Sequence, residues 1–142
     1  MHEFSDGINC LLLDSFTDFD QSPIIIIGGN CAILGLDILG NEVFWTVTGD
    51  SVSAITTLCS KNNTNKDLVV GSNDFDLRIF RKDAIVSDIT ETGSKNQPVC
   101  LYSYEYSLNN DPILVTGWSN GKVYNMVFYK STIPDYPYIF MK

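Results

Sequence analysis

The chain has 142 residues, enough for one domain with a real core, and its 44% hydrophobic content places it among ordinary globular proteins rather than disordered ones. A formal net charge of −8, with nine dispersed Lys and Arg, excludes the clustered basic surface that nucleic acid needs. No run reaches the about 18 apolar residues of a membrane-spanning helix, and the opening Met-His-Glu-Phe-Ser-Asp lacks the basic and then apolar pattern of a secretory signal, so a cytosolic setting is the default expectation.

In chain order, a short apolar run at 8–13 comes first. The acidic stretch Asp14-Ser15-Phe16-Thr17-Asp18-Phe19-Asp20 separates it from a second run, 24–28, that ends at Gly28. Past Gly28-Gly29-Asn30 lie runs at 32–36 and, beyond Gly40-Asn41, at 43–47. The order then recurs as 52–58, 68–71 ending at Gly71, 77–80 and 85–89, and again as 99–102, 113–117 ending at Gly117, and 122–128. Gly28 and Gly71 are 43 residues apart and Gly71 and Gly117 are 46 apart, which matches the about 40 to 50 residues of a four-stranded propeller blade.

The punctuation suits hairpins, since Gly40-Asn41, Asn73-Asp74 and Asn120-Gly121 tolerate positive φ at little cost. No stretch of a dozen residues carries helical apolar spacing, while Val, Ile, Thr, Phe and Tyr are abundant. The pattern predicts an all-β chain: a partial β-propeller of about three four-stranded antiparallel blades. It spans 1–142 as one segment, with units near 7–50, 51–96 and 97–142. In the third unit the fourth run is replaced by 132–141, where Pro134 and Pro137 remove two backbone donors. That allows only an edge strand or extended tail, so the third blade is expected to be incomplete or irregular.

Residues with chemistry to offer are few. The single histidine, His2, sits at a terminus and supplies no acid, base or metal site. Gly28-Gly29-Asn30 lacks the spacing of a phosphate-binding loop and reads as a turn. Cys10, Cys31, Cys59 and Cys100 have no close pair and each adjoins an apolar run. Buried free thiols are therefore expected, with Cys10 and Cys100 at matching places on inner strands. Asp14, Asp18 and Asp20 could gather around a hard cation but lack a calcium-loop pattern, so a solvated acidic loop is the simpler reading. Trp45, between Phe44 and Val47, is expected in the core. Trp118, Tyr136 and Tyr138 are the candidates for contact with a partner, or, for the two tyrosines, for covering a sheet edge.

Five words carry a resemblance: Gly28-Gly29-Asn30-Cys31-Ala32, Phe44-Trp45-Thr46-Val47-Thr48-Gly49-Asp50, Asp67-Leu68-Val69-Val70-Gly71-Ser72, Asp74-Phe75-Asp76 and Thr90-Glu91-Thr92. In this order and spacing the chain resembles the middle part of the N-terminal β-propeller in the Bardet-Biedl family of BBSome subunits. The likeness covers about 24–129 and is strongest over 28–92. It implies a non-catalytic scaffold without cofactor or metal, taking part in BBSome assembly, cilium assembly and movement of ciliary membrane-protein cargo. The implied partners are other BBSome subunits or further propeller blades, with cargo met indirectly. The implied location is the cytoplasm and the cilium, its basal body or its membrane. The family's aspartate-rich turn is absent where this chain reads Ser60 to Lys66, which argues against a metal role. Competing readings are a calcium-binding integrin-like propeller, a propeller adaptor unrelated to cilia, and a propeller enzyme. The first would need acidic loops and an export signal, and the last a clustered acid, base or metal set. Three blades leave two faces without neighbours, so the chain is expected to be part of a longer propeller completed by more blades or a partner, and sticky alone.

Overall fold

The computed structural model describes residues 1, 3–15, 22–59, 66–81, 84–90, 95–106, 111–129 and 138–141; over 84–90, 105–106, 111, 127–129 and 138–141 it is the backbone that is described. Every regular element among them is a strand. The first sheet contains β1 (Cys10–Asp14), β2 (Ile24–Gly28), β3 (Ala32–Leu36) and β4 (Glu42–Val47). The second contains β5 (Val52–Cys59), β6 (Lys66–Ser72), β7 (Asp76–Arg81) and β8 (Ala84–Thr90). The third contains β9 (Pro98–Tyr106), β10 (Asp111–Trp118), β11 (Val123–Tyr129) and β12 (Tyr138–Met141). Sequential strands pair antiparallel in each sheet, so the chain is three four-stranded meanders, the blades of a partial propeller. β12 is the edge strand expected within 132–141. It pairs with β11 over four residues, from Met126↔Met141 to Tyr129↔Tyr138, while Pro134 and Pro137 lie outside the described residues.

β5 packs between β1 and β9, so the first strand of each sheet lies innermost and the later strands step outward. Two apolar seams hold the stack. Ile24, Ile26, Ile33 and Phe44 of the first sheet meet Val52, Ile55, Leu68, Val70 and Phe80 of the second. Leu58, Val69, Leu77 and Ile79 on the other face of the second sheet meet Leu114, Trp118 and Met126 of the third. The middle sheet is therefore apolar on both faces. This is why β6 reads Leu68-Val69-Val70 without polar alternation. Full burial of each such side chain stabilises by about 1.5–3 kcal/mol, so the seams are the dominant favourable contribution to this fold.

The three repeat glycines are explained by register. Cys10↔Gly28, Ala54↔Gly71 and Cys100↔Gly117 are equivalent cross-strand pairs between the first and second strands of each sheet. A Cβ on Gly28 would come 2.6 Å from Val52 Cγ1 of the second sheet, and one on Gly71 would come 2.7 Å from Pro98 Cγ of the third. Each glycine is thus a hole into which the first residue of the next inner strand presses. The sequence spacing of the glycines is the spacing of the seams.

Period-two alternation corrects two expectations. Phe44 is buried in the first seam, so its neighbour Trp45 must face the opposite side, where it is 52% exposed rather than in the core. The thiols are not uniformly buried either. Cys10 and Cys59 are half-buried, whereas Cys31, in the turn between β2 and β3, and Cys100, on the outer face of the third sheet, are exposed.

Candidate interaction surfaces

The rims of the blades carry the polar chemistry. At the end of β1, the Asp14 carboxylate accepts from Lys66 Nζ at 2.5 Å and from Thr57 Oγ1 at 2.5 Å, which clasps the first sheet to the second. Burial alone pushes the Asp14 carboxyl up, but the Lys66 ammonium, the Thr57 hydroxyl and the Ser15 N–H outweigh it and hold the carboxyl below its usual range. Asp14 is therefore committed to an internal clasp. Asp18 and Asp20, its companions in the acidic loop, lie outside the described residues, as does His2. Among the described residues no three His, Cys, Asp or Glu side chains gather as metal ligands would.

The opposite rim holds the turns between second and third strands. Arg78 lies between Asp74 and Asp76, with NH2 2.5 Å from Asp74 Oδ2 and 3.1 Å from Asp76 Oδ2. Between those two aspartates Phe75 adopts φ 73°, the left-handed region that the equivalent turn of the third sheet fills with Gly121 at φ 80°. Phe75 N–H donates to Ser72 O just as Gly121 N–H donates to Trp118 O, so the two turns share one geometry and Phe75 bears strain in it. At the first sheet the segment before β1 covers this rim: Asp6 accepts from the N–H groups of Cys31 and Ala32, and Phe4 packs on Ile27, Leu34 and Leu36.

Of the residues expected to meet a partner, Trp118 does not reach the surface. It is 3% exposed inside the second seam, donates from Nε1 to Thr116 Oγ1 at 2.8 Å and stands edge-on to Tyr124 at 6.4 Å. Its indole is buried because alternation along β10 puts it on the same face as Leu114 and Thr116, the face that the second sheet covers. Tyr136 lies outside the described residues, and Tyr138 opens β12, of which the backbone is described.

Much of the exposed apolar surface lies instead on the outer faces of the two end sheets. On the first, Leu11 and Leu13 of β1, Ile25 of β2, and Trp45 and Val47 of β4 are open. On the third, Tyr102 and Tyr104 of β9 and Val123 of β11 are open. Both sets come from the strand faces opposite a buried seam. The signal was present in the sequence as unbroken apolar runs, in which both faces of a strand are apolar.

No protein-family model matches the chain. It is 35% identical to the human BBSome complex member BBS2 over 85% of its own length, and 37% identical to the mouse protein over the same share. It is 34% identical to the BBSome complex member bbs-2 of Caenorhabditis elegans over 79%. The chain spans 22% of the human and mouse proteins and 16% of the worm one, so it is similar to a limited part of each. The crystal structure of BBS1N in complex with ARL6DN, soaked with mercury, superposes with a TM-score of 0.67 over 99% of this chain and 40% of that one. At 15% identity this likeness shows the partial propeller fold.

Proposed function

We propose that the chain is a propeller segment of a BBSome-type scaffold, non-catalytic, working in the assembly of that complex and through it in ciliary membrane-protein trafficking and cilium assembly. The observation that carries this reading is 34–37% identity to BBSome complex members from five animals over most of the chain. The architecture supports it: the buried side chains are spent on holding sheets together, and the described carboxylates near them pair with Lys66, Arg78 and Arg81. Such a frame presents rims and turns rigidly, and binding energy comes from packed surface. Its partners in this reading are other BBSome subunits and further propeller blades, with membrane-protein cargo met through the assembled complex, in the cytoplasm and at the cilium.

Tagged chain expressed in ciliated cells tests this. Co-recovery of BBSome subunits, and tag signal at the ciliary base or along the cilium, are the expected results. Recovery without any BBSome subunit overturns the reading.

A further inference from the structure

The turn between β10 and β11 has the geometry of the one between β6 and β7 but a different composition. At the left-handed position the second sheet has Phe75 after Asp74, whereas the third has Gly121 after Asn120, the single Asn-Gly pair of the chain. Asparagine followed by glycine is the dipeptide most prone to deamidate itself, because with no Cβ on the glycine its backbone nitrogen swings freely onto the preceding side-chain carbonyl. Asn120 is exposed to water, yet the groups that the reaction needs are occupied. Gly121 N–H donates to Trp118 O at 2.9 Å, and Asn120 Oδ1 accepts from Lys122 N–H at 3.0 Å. Trp118 N–H donates to Lys122 O at 2.9 Å and closes the hairpin around both. The turn is also latched to the segment before β9. Ser119 N–H donates to Gln97 O at 2.9 Å, and Gln97 N–H donates to Ser119 Oγ at 3.0 Å. Gln97 directly precedes Pro98, the knob that presses into the hole at Gly71.

We propose that Asn120-Gly121 is a self-modification site that the fold holds shut, and that opening of this turn starts the reaction. Once the bonds to Trp118 and Lys122 are broken, the Gly121 nitrogen gives up its proton and bonds to Asn120 Cγ. The Cγ–Nδ2 bond breaks, and the amide nitrogen leaves as ammonia with that proton. Water then opens the cyclic imide. Cleavage between Cγ and the nitrogen gives aspartate. Cleavage between the Asn120 main-chain carbonyl carbon and the nitrogen gives isoaspartate, whose backbone runs through the former side chain and is longer by a methylene. Aspartate keeps an oxygen for Lys122 N–H, so the turn recloses. Isoaspartate lengthens the loop between Trp118 and Lys122, and the hydrogen bond between them does not re-form in register. The loosening falls on Trp118, which is 3% exposed inside the second seam. A turn that has opened and converted to isoaspartate therefore stays open.

Peptide mass mapping of the purified chain, incubated in mildly alkaline buffer with and without denaturing urea, follows the conversion at Asn120 and is independent of the scaffold reading. Retained β-sheet circular dichroism identifies the urea-free samples as folded. Conversion of the folded chain should be slower than in urea by at least about tenfold, because it waits on local opening. Ser119→Ala removes the hydroxyl that accepts from Gln97 N–H. It should speed conversion of the folded chain by about two- to tenfold, the effect of one hydrogen bond on opening, and leave the rate in urea unchanged. The isoaspartate product, separated by chromatography, should unfold at lower urea than the parent, whereas Asn120→Asp should match the parent. Equal rates with and without urea, no acceleration in folded Ser119→Ala, or an isoaspartate product as stable as the parent would each overturn the proposal.

Discussion

The two seams have one geometry and different chemistry. The first is filled by Ile, Val, Leu and Phe and closed at one rim by the Asp14–Lys66–Thr57 clasp. The second takes Trp118, Met126 and Thr116 into its interior, satisfies the indole N–H internally, and ties β5 to β9 by Ser53 Oγ donating to Pro98 O and Ser103 Oγ donating to Thr57 O. Even the backbone differs. Val52 N–H donates to Gly29 O across the first seam, and Pro98, in the matching place, has no N–H to donate. The lesson is that knob and hole fix where the sheets stand, while the filling around them is interchangeable.

The largest effect should come from emptying the first seam. Phe80 is 1% exposed, and Phe80→Ala should cost about 3–5 kcal/mol, read as a lowered urea midpoint. Filling a hole is the next test of the comparison. A valine at Gly28 puts its Cβ 3.0 Å from Val52 Cβ, an atom fixed to the backbone, so Gly28→Val should cost about 1–3 kcal/mol by overpacking. Gly117→Val should cost clearly less in dilute solution, because only the exposed Cys100 thiol stands in its way among the described residues. Equal costs at Gly28 and Gly117 would break the account of the repeat glycines.

In the second seam Trp118→Phe removes the donor to Thr116 while keeping most of the apolar volume. A loss of about 1–2 kcal/mol is expected, and the drop in tryptophan fluorescence on unfolding should largely vanish, leaving the exposed Trp45. The Asp14 clasp predicts a pH dependence confined to the first seam. Its carboxyl binds a proton less readily folded than unfolded, so the clasp contributes fully above the ordinary carboxylate value of 3.8 and is lost as pH falls through the lower folded value. Because both side chains are 27% exposed, Asp14→Asn should cost no more than about 1 kcal/mol near neutrality, and the difference from the parent should shrink in acid. The smallest effect is at the strained turn. Phe75→Gly relieves a left-handed residue but frees the unfolded chain, so a net gain under about 1 kcal/mol is expected in a thermal melt.

Thiol reactivity sharpens the contrast between a covered and an open hole. Burial pushes the Cys10 thiol up to about 11, so near pH 8 it should resist alkylation, while the exposed Cys31 and Cys100 label first in dilute solution.

Strand order, hairpin positions and blade spacing were legible in the sequence because they follow from local rules: period-two apolarity, turn residues that accept positive φ, and a glycine wherever one inner strand presses on the next sheet. What the linear pattern left undetermined was which side of a strand would be covered, since that depends on whether a second sheet stands opposite. Phe44 and Trp45 are both aromatic neighbours, yet alternation and a single adjacent sheet bury one and expose the other. Cys10 and Cys100 occupy the same place in their repeats, yet the second sheet covers one while no described sheet covers the other. Trp118 follows its glycine like a surface residue, yet it shares a face of β10 with Leu114 and Thr116, and the second sheet covers that face. Local sequence set the element and its register; the packing of one sheet on another set the environment of each side chain, because burial belongs to a pair of surfaces and not to either one.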